Sequence, residues 1–121
     1  MQDLGKVVSL AKSKNIFTAI DNTWATAYFF KPLKLGFDIA ITSATKYYSG
    51  HSDVMGGTVA VNKKAYKKVW WYNHVSGYRL SPDDAYLIIR GLRTLDVRMD
   101  KHQESTKKII NFLKTQKKVS K

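Results

Sequence analysis

The chain contains no cysteine. That excludes disulfide frameworks, thiolate metal sites and cysteine nucleophiles. Acidic residues are scarce, with 9 Asp plus Glu against 21 Lys plus Arg, a formal charge of +12. No apolar stretch approaches the roughly 20 residues that a membrane-spanning helix needs. The start, Met1-Gln2-Asp3-Leu4, lacks the basic region and apolar run of a secretory leader. There are no internal repeats and no low-complexity tracts. Histidine is sparse, and His51, His74 and His102 show no metal-ligand spacing. With no membrane segment and no leader, the expectation is a cytoplasmic protein without a metal centre.

What is present is a chain of 121 residues, 44% hydrophobic, enough for one packed unit. The basic balance raises nucleic acid as a partner. The charge is mostly lysine, however, and the arginines are Arg79, Arg90, Arg93 and Arg98. Bidentate reading of bases or phosphates favours arginine. A solvated lysine-rich surface is the blander account and the one preferred here. Trp70-Trp71-Tyr72 could stack bases, but packing of a helix onto a sheet or a subunit interface explains an aromatic cluster as well.

Leu4, Val7, Val8 and Ala11 follow the helical period, which predicts an amphipathic helix from Leu4 to Lys14. Ile16 to Ile20 is a nearly continuous apolar run, as in a parallel strand buried on both faces, and it ends at Asp21. Pro32 breaks the segment after Phe29-Phe30. Further strands are predicted at Asp38–Thr42 and Gly57–Val61, and a helix at Lys63–Val75. Ser81-Pro82-Asp83-Asp84 is a helix start with a cap, a first-turn proline and two acids at the positive dipole end. That helix should run to about Arg90, where Gly91 interrupts. A longer one should follow from Thr94 to Lys118, with Leu95, Met99, Ile109 and Leu113 in the core and Glu104 reaching Lys107 and Lys108. Gly50, Gly56 and Gly57 do not form a nucleotide-binding fingerprint and are read as turn residues. The class is α/β, with a mainly parallel sheet and flanking helices. A sheet of three such strands usually belongs to a larger one.

One constellation combines chemistry with position. Asp21-Asn22-Thr23 follows one strand, and Ser43-Ala44-Thr45-Lys46 follows the next. Ligand sites of α/β sheets gather at the carboxyl ends of strands. A lysine in a partly desolvated site can condense with an aldehyde. Two nearby hydroxyls can hold a phosphate, and a carboxylate can keep a pyridinium nitrogen protonated. Those are the needs of pyridoxal 5'-phosphate (PLP). On spacing alone, a solvated lysine and an ordinary polar turn account for the same residues.

Longer motifs separate the two. Asp21-Asn22-Thr23-Trp24-Ala25, the stretch Asp38 to Ser52 (DIAITSATKYYSGHS), Asp53-Val54-Met55-Gly56-Gly57-Thr58, and Ser81 to Tyr86 running into Arg90-Gly91-Leu92-Arg93-Thr94-Leu95 are all present. With these the chain resembles the PLP-dependent enzymes of cysteine and methionine metabolism, the cystathionine lyases and synthases. Trp24, together with the Arg90–Leu95 block followed by His102 and Glu104-Ser105, looks most like the bacterial β-lyase branch. Tyr48 departs from the aliphatic residue usual there.

The resemblance implies a partial fold-type-I, PLP-dependent transferase-like large domain over residues 1–121, with upstream and C-terminal parts of the family's chain absent. It implies that Lys46 carries the cofactor and moves the Cα proton. It further implies that Asp21 pairs with the pyridine nitrogen, that Thr23 lies along the ring, and that Ser43 and Thr45 contact the phosphate. The implied reaction is a lyase elimination of trans-sulfuration and methionine biosynthesis, in which cystathionine gives homocysteine, pyruvate and ammonia. The complete family enzyme is expected to be a homo-oligomer, acting on a small amino-acid substrate. The truncated chain by itself is expected to be inactive, since none of its arginines matches the family's substrate-carboxylate anchor. A γ-lyase or γ-synthase would share the cofactor residues. A basic nucleic-acid-binding module is the reading from another class, and an inactive remnant that binds cofactor weakly or acts only beside a partner chain is a third.

Overall fold

The structure, a computed structural model, describes residues 2–119. Helix α1 spans Leu4–Ser13, and the Asp3 carboxylate caps it by accepting from the Lys6 N–H at 3.1 Å. Asn15 ends this first unit in the left-handed region, with φ at 53°. Asparagine tolerates that region better than most residues. Strand β1 follows at Ala19–Asp21. A connection holding two one-turn helices, α2 at Thr26–Phe29 and α3 at Pro32–Leu35, leads to β2 at Ile39–Ser43. A π-type turn occupies Ala44–Tyr48, and β3 is Gly57–Val61. Three helices complete the chain: α4 at Lys63–Ser76, α5 at Pro82–Leu92 and α6 at Leu95–Lys114.

The three strands form one sheet in the order β1-β2-β3. β1 and β2 are parallel, with Ala19 opposite Ile39 and Asp21 opposite Ile41. β3 runs antiparallel to β2, with Ser43 opposite Gly57 and Ile39 opposite Val61. Over these strands the sheet is therefore mixed rather than mainly parallel. The cause is local. The Thr45 N–H donates to the Gly56 carbonyl at 3.2 Å, and the Gly56 N–H donates to the Thr45 hydroxyl at 2.9 Å. This clamp brings the chain back to the end of β2 that it has just left, so β3 must return alongside it.

Asp38 ties the sheet to the helices. Its buried carboxylate accepts from the Thr18 N–H at 2.9 Å, the Thr18 hydroxyl at 3.1 Å and the Asn62 amide at 2.8 Å. Asn62 in turn caps α4 by accepting from the Ala65 N–H at 2.9 Å. One carboxylate thus fixes the approach to β1, the start of β2 and the start of α4.

The Ile16–Ile20 run is shorter as strand than its hydrophobicity predicts, and Ile16 and Phe17 are exposed. Among the described residues nothing pairs with the outer edge of β1, and no layer covers Ile16. The Phe17 ring is met by the ammonium groups of Lys64 and Lys68 at 4.7 and 5.4 Å. In α5 the Ser81 hydroxyl accepts from the Asp84 N–H at 3.0 Å, as its sequence predicts. The helix runs through Gly91 to Leu92 instead of stopping before it.

In α6 Met99 is buried and Leu95 half-buried, but Ile109 and Leu113 are exposed, because the helix outruns the elements on which it rests. Glu104 pairs with Lys108, as expected, and with Lys101 rather than Lys107. Among the described residues no helix is long and apolar enough to cross a membrane.

Candidate active site

Parallel pairing of β1 and β2 sends their carboxyl ends to the same side of the sheet. Asp21 is the last residue of β1, and its Oδ1 accepts from the Thr23 N–H at 2.8 Å. The Thr23 hydroxyl accepts from the Ser43 N–H at 2.8 Å, bridging the two strand ends. Asp21, Thr23 and Ser43 are thereby drawn into one cluster. The Thr23 hydroxyl, and after it the Thr23 N–H, hold the Asp21 carboxyl below the usual carboxylate range. Asp21 is exposed, and its Oδ2 takes no hydrogen bond from the described residues.

Thr45 and Lys46 lie on the π-type turn, whose backbone leaves helical geometry at Lys46 (φ −92°, ψ −113°). Both line an open cavity of about 610 Å³, together with Ser52, Asp53, Val54, Met55 and Asp84. Asp21, Thr23 and Ser43 do not line it; they sit at the adjoining strand ends, and the chain passes from Ser43 to Lys46 within the turn. A larger cavity of about 670 Å³ lies between β3 and α4, against Val59, Val61 and Trp70. It contains none of the five candidate residues, and its lining offers no amine. The chemistry favours the smaller cavity.

The aldehyde carrier, the pyridinium partner and the phosphate donors that PLP requires can be tested one by one. Lys46 is exposed and open to an aldehyde, so the partial desolvation expected of it is not supplied by the described residues. Asp21 is a free-facing, ionised carboxylate, as a pyridinium partner must be. The Ser43 hydroxyl makes no hydrogen bond among the described residues and can donate to a phosphate. Thr45 is more constrained. Its hydroxyl proton points to the Gly56 carbonyl at 3.3 Å while it accepts from the Gly56 N–H. A hydroxyl has one proton to give, so Thr45 reaches a phosphate only by releasing that carbonyl. The donor set fits the cofactor, with Thr45 doing structural work as well.

Sequence reasoning missed the supports of the lysine turn. Ser49 is fully buried; its N–H donates to the Ala44 carbonyl at 2.9 Å and its hydroxyl to the Thr45 carbonyl at 3.1 Å. Gly91 presses on this turn so closely that a Cβ there would overlap the carbonyls of Ser49 and Tyr48. The Arg98 guanidinium donates to the Tyr47 carbonyl at 2.8 Å and the Gly91 carbonyl at 2.8 Å. The Arg90–Leu95 motif was the available signal, since its Gly91 lies inside a helix with no conformational need for glycine. Ala44, Val54 and Ile88 form a small core beneath the turn, joined by Tyr48 and Leu87.

None of the histidines or tryptophans lines the Lys46 cavity. His51 Nδ1 lies 2.6 Å from the Ser49 carbonyl, and the His102 ring meets Tyr47 edge-on. Trp70 stacks on His74 beside β3, whereas Trp71 faces solvent. Arg90 is paired with Asp53 at 2.9 Å, which anchors the cavity's rim to α5.

Comparison with known proteins places the whole chain among relatives. A family described as "Cys/Met metabolism PLP-dependent enzyme" matches residues 1–121. The chain is 41% identical over 119 residues to the cystathionine beta-lyase of Coxiella burnetii, covering 97% of this chain and 31% of that protein. It is 42% identical over 120 residues to the L-methionine gamma-lyase of Fusobacterium nucleatum subsp. polymorphum, covering 97% of this chain and 30% of the relative. The crystal structure of cystathionine gamma-lyase from Lactobacillus plantarum, complexed with L-serine, superposes over 100% of this chain and 32% of that one. The TM-score is 0.93 at 38% identity. The chain thus spans about a third of the length of the relatives it matches.

Proposed function

The chain belongs to the PLP-dependent enzymes of cysteine and methionine metabolism, and we propose that it carries the cofactor-holding part of a carbon–sulfur β-lyase of the cystathionine β-lyase kind. The observation that carries this reading is the convergence of Asp21, Thr23 and Ser43 at two parallel strand ends, with Lys46 on the turn that follows. Bound PLP supplies an electron sink for the charge left when a substrate loses its Cα proton.

The residues divide the remaining work. Lys46 would hold the cofactor covalently, and its amine is the group that would move the Cα proton. Asp21 stays ionised, because Thr23 stabilises its carboxylate, and would keep the pyridine nitrogen protonated. Thr23 links that carboxylate to β2 and would lie along the ring. Ser43 would donate to the phosphate, and Thr45 would do so by releasing the Gly56 carbonyl while still accepting from the Gly56 N–H. Loss of sulfur from Cβ of cystathionine, with uptake of one water, would yield homocysteine, pyruvate and ammonia. Sequence motifs favour the β-lyase over the γ-lyases among the relatives: Trp24 after Asp-Asn-Thr, and the Arg90–Leu95 block.

The substrate's α-carboxylate needs a cation near Lys46. Among the described residues no arginine lines that cavity, and Arg90 and Arg98 are engaged elsewhere. The isolated chain should therefore bind PLP at Lys46 yet turn over cystathionine far below about 1 per second, the lower range for enzymes.

Borohydride reduction of the chain with PLP, followed by peptide mapping, should place the pyridoxyl group on Lys46, and Lys46→Ala should abolish that label. Label spread over surface lysines and unchanged by Lys46→Ala would sink the assignment. Pyruvate as the keto product of cystathionine, in a preparation completed by the rest of the protein, would mark β-cleavage; 2-oxobutyrate would mark a γ-lyase instead.

A further inference from the structure

We propose that Arg98 is a positioning residue for Lys46, setting the place of the lysine turn from the first half of α6. The inference rests on the reading of Lys46 as the cofactor carrier. The turn breaks helical geometry at Lys46. The Lys46 carbonyl is taken by the Gly50 N–H at 2.8 Å, but the carbonyl of the next residue, Tyr47, is met by Arg98 Nη1 at 2.8 Å. The same guanidinium reaches the Gly91 carbonyl through Nη2 at 2.8 Å and the Thr94 hydroxyl through Nε at 3.1 Å.

One planar fork therefore joins the lysine turn, the end of α5 and the start of α6. Gly50 has no side chain where it passes this group; a Cβ there would collide with the guanidinium. Arg98 is half-buried and forms no ion pair with any described carboxylate, so its charge is directed wholly at backbone carbonyls and a hydroxyl. A lysine ammonium cannot reproduce the fork, because it is a point donor on a flexible stem. Removing the fork leaves two carbonyls without their charged donor, and the turn is free to shift. Misplacement of a reacting group by about 1 Å can cost about a hundredfold in rate.

The test measures the rate at which PLP becomes reducible onto Lys46, and the share of pyridoxyl found there by peptide mapping. The proteins compared are wild type, Arg98→Ala, Arg98→Lys and Gly77→Ala. Gly77 ends α4 at φ +69° with nothing within 4 Å of a would-be Cβ, so its replacement costs stability without touching the turn. Arg98→Ala should slow labelling of Lys46 about ten- to hundredfold. Arg98→Lys should recover only part of the rate, millimolar ethylguanidine should restore Arg98→Ala toward wild type, and Gly77→Ala should label Lys46 as wild type does.

Equal labelling rates in wild type and Arg98→Ala, or a Gly77→Ala protein as slow as Arg98→Ala, would overturn the positioning role while leaving Lys46 as carrier. So would full recovery in Arg98→Lys. Failure of the wild type to label Lys46 selectively would instead overturn the reading beneath it. Should Arg98→Ala fail to fold, judged by circular dichroism, the comparison of Arg98→Lys with wild type decides on the same measurement.

Discussion

Replacing Gly91 by alanine should destabilise the chain by about 3 kcal/mol or more, a large loss for a single methyl group. Alanine is the better helix former, so propensity alone predicts a gain of about 1 kcal/mol at a position inside α5. The opposing effect is steric. The added Cβ would occupy the space of the Ser49 and Tyr48 carbonyls. Those atoms are backbone, and Ser49 is fully buried and bonded to Ala44 and Thr45. No side chain can rotate away, so either α5 lifts off the turn or the turn gives up its hydrogen bonds. The loss should appear as a lowered thermal midpoint and weaker pyridoxyl labelling of Lys46. Gly77→Ala is the informative contrast, since only a left-handed backbone resists it, at about 1–2 kcal/mol. Denaturant titration of both variants separates contact from conformation, and a Gly91→Ala midpoint no lower than that of Gly77→Ala would refute the account.

Asp38→Ala should cost about 2–4 kcal/mol, because it strands a buried N–H, a hydroxyl and an amide that one carboxylate now satisfies. The same residue makes stability depend on pH. The Thr18 N–H holds the Asp38 carboxyl below its ordinary range against the opposing effect of burial, helped by Asn62, the Thr18 hydroxyl and the charge of Lys64. Its folded pKa lies below the unfolded value of about 3.9. The stabilisation is therefore present above that unfolded value and disappears as pH falls through the lower folded value. Wild type should lose stability on acidification through this window more steeply than Asp38→Asn. The difference between the two curves isolates Asp38 from Asp21 and Glu104, whose carboxyls are also lowered but lie in solvent. Parallel curves would show that the network carries no charge dependence.

Residue pattern alone reached a good part of this structure. The β3 boundaries coincide with Gly57–Val61, and the Ser81 cap and the strand ending at Asp21 were readable because caps and strand ends carry local chemistry. The direction of β3 was not readable. It depends on the Thr45–Gly56 clamp, a contact between residues whose types have many other uses. The one-turn helices α2 and α3 are too short to show a period. Gly91 read as a helix breaker because propensity registers its missing side chain but not the neighbour filling the space. Of the candidate site, the residue types were legible and the division was not. Asp21, Thr23 and Ser43 are joined through one hydroxyl, Lys46 opens into a separate cavity with Thr45, and the arginine that grips the turn comes from far along the chain.

The partial docking of α6 has a consequence for motion. Its first half is tied down by buried Met99, by Arg98 and by the Tyr28 hydroxyl donating to Asp100 at 3.1 Å. Beyond His102 the helix presents Ile109, Ile110, Phe112 and Leu113 to solvent, braced by the exposed pairs of Glu104 with Lys101 and Lys108. Exposed pairs of that kind add only tenths of a kcal/mol each, and a helix segment this short is marginal without tertiary support. Amide exchange along α6 should consequently divide near His102. Protons from the Arg98 amide, which donates to the Thr94 carbonyl, up to that point exchange only when the lysine turn itself opens, and those beyond it exchange through local fraying. The slow half is the half that grips the Lys46 turn, so protection of the Met99 amide reports the integrity of the candidate site from outside it.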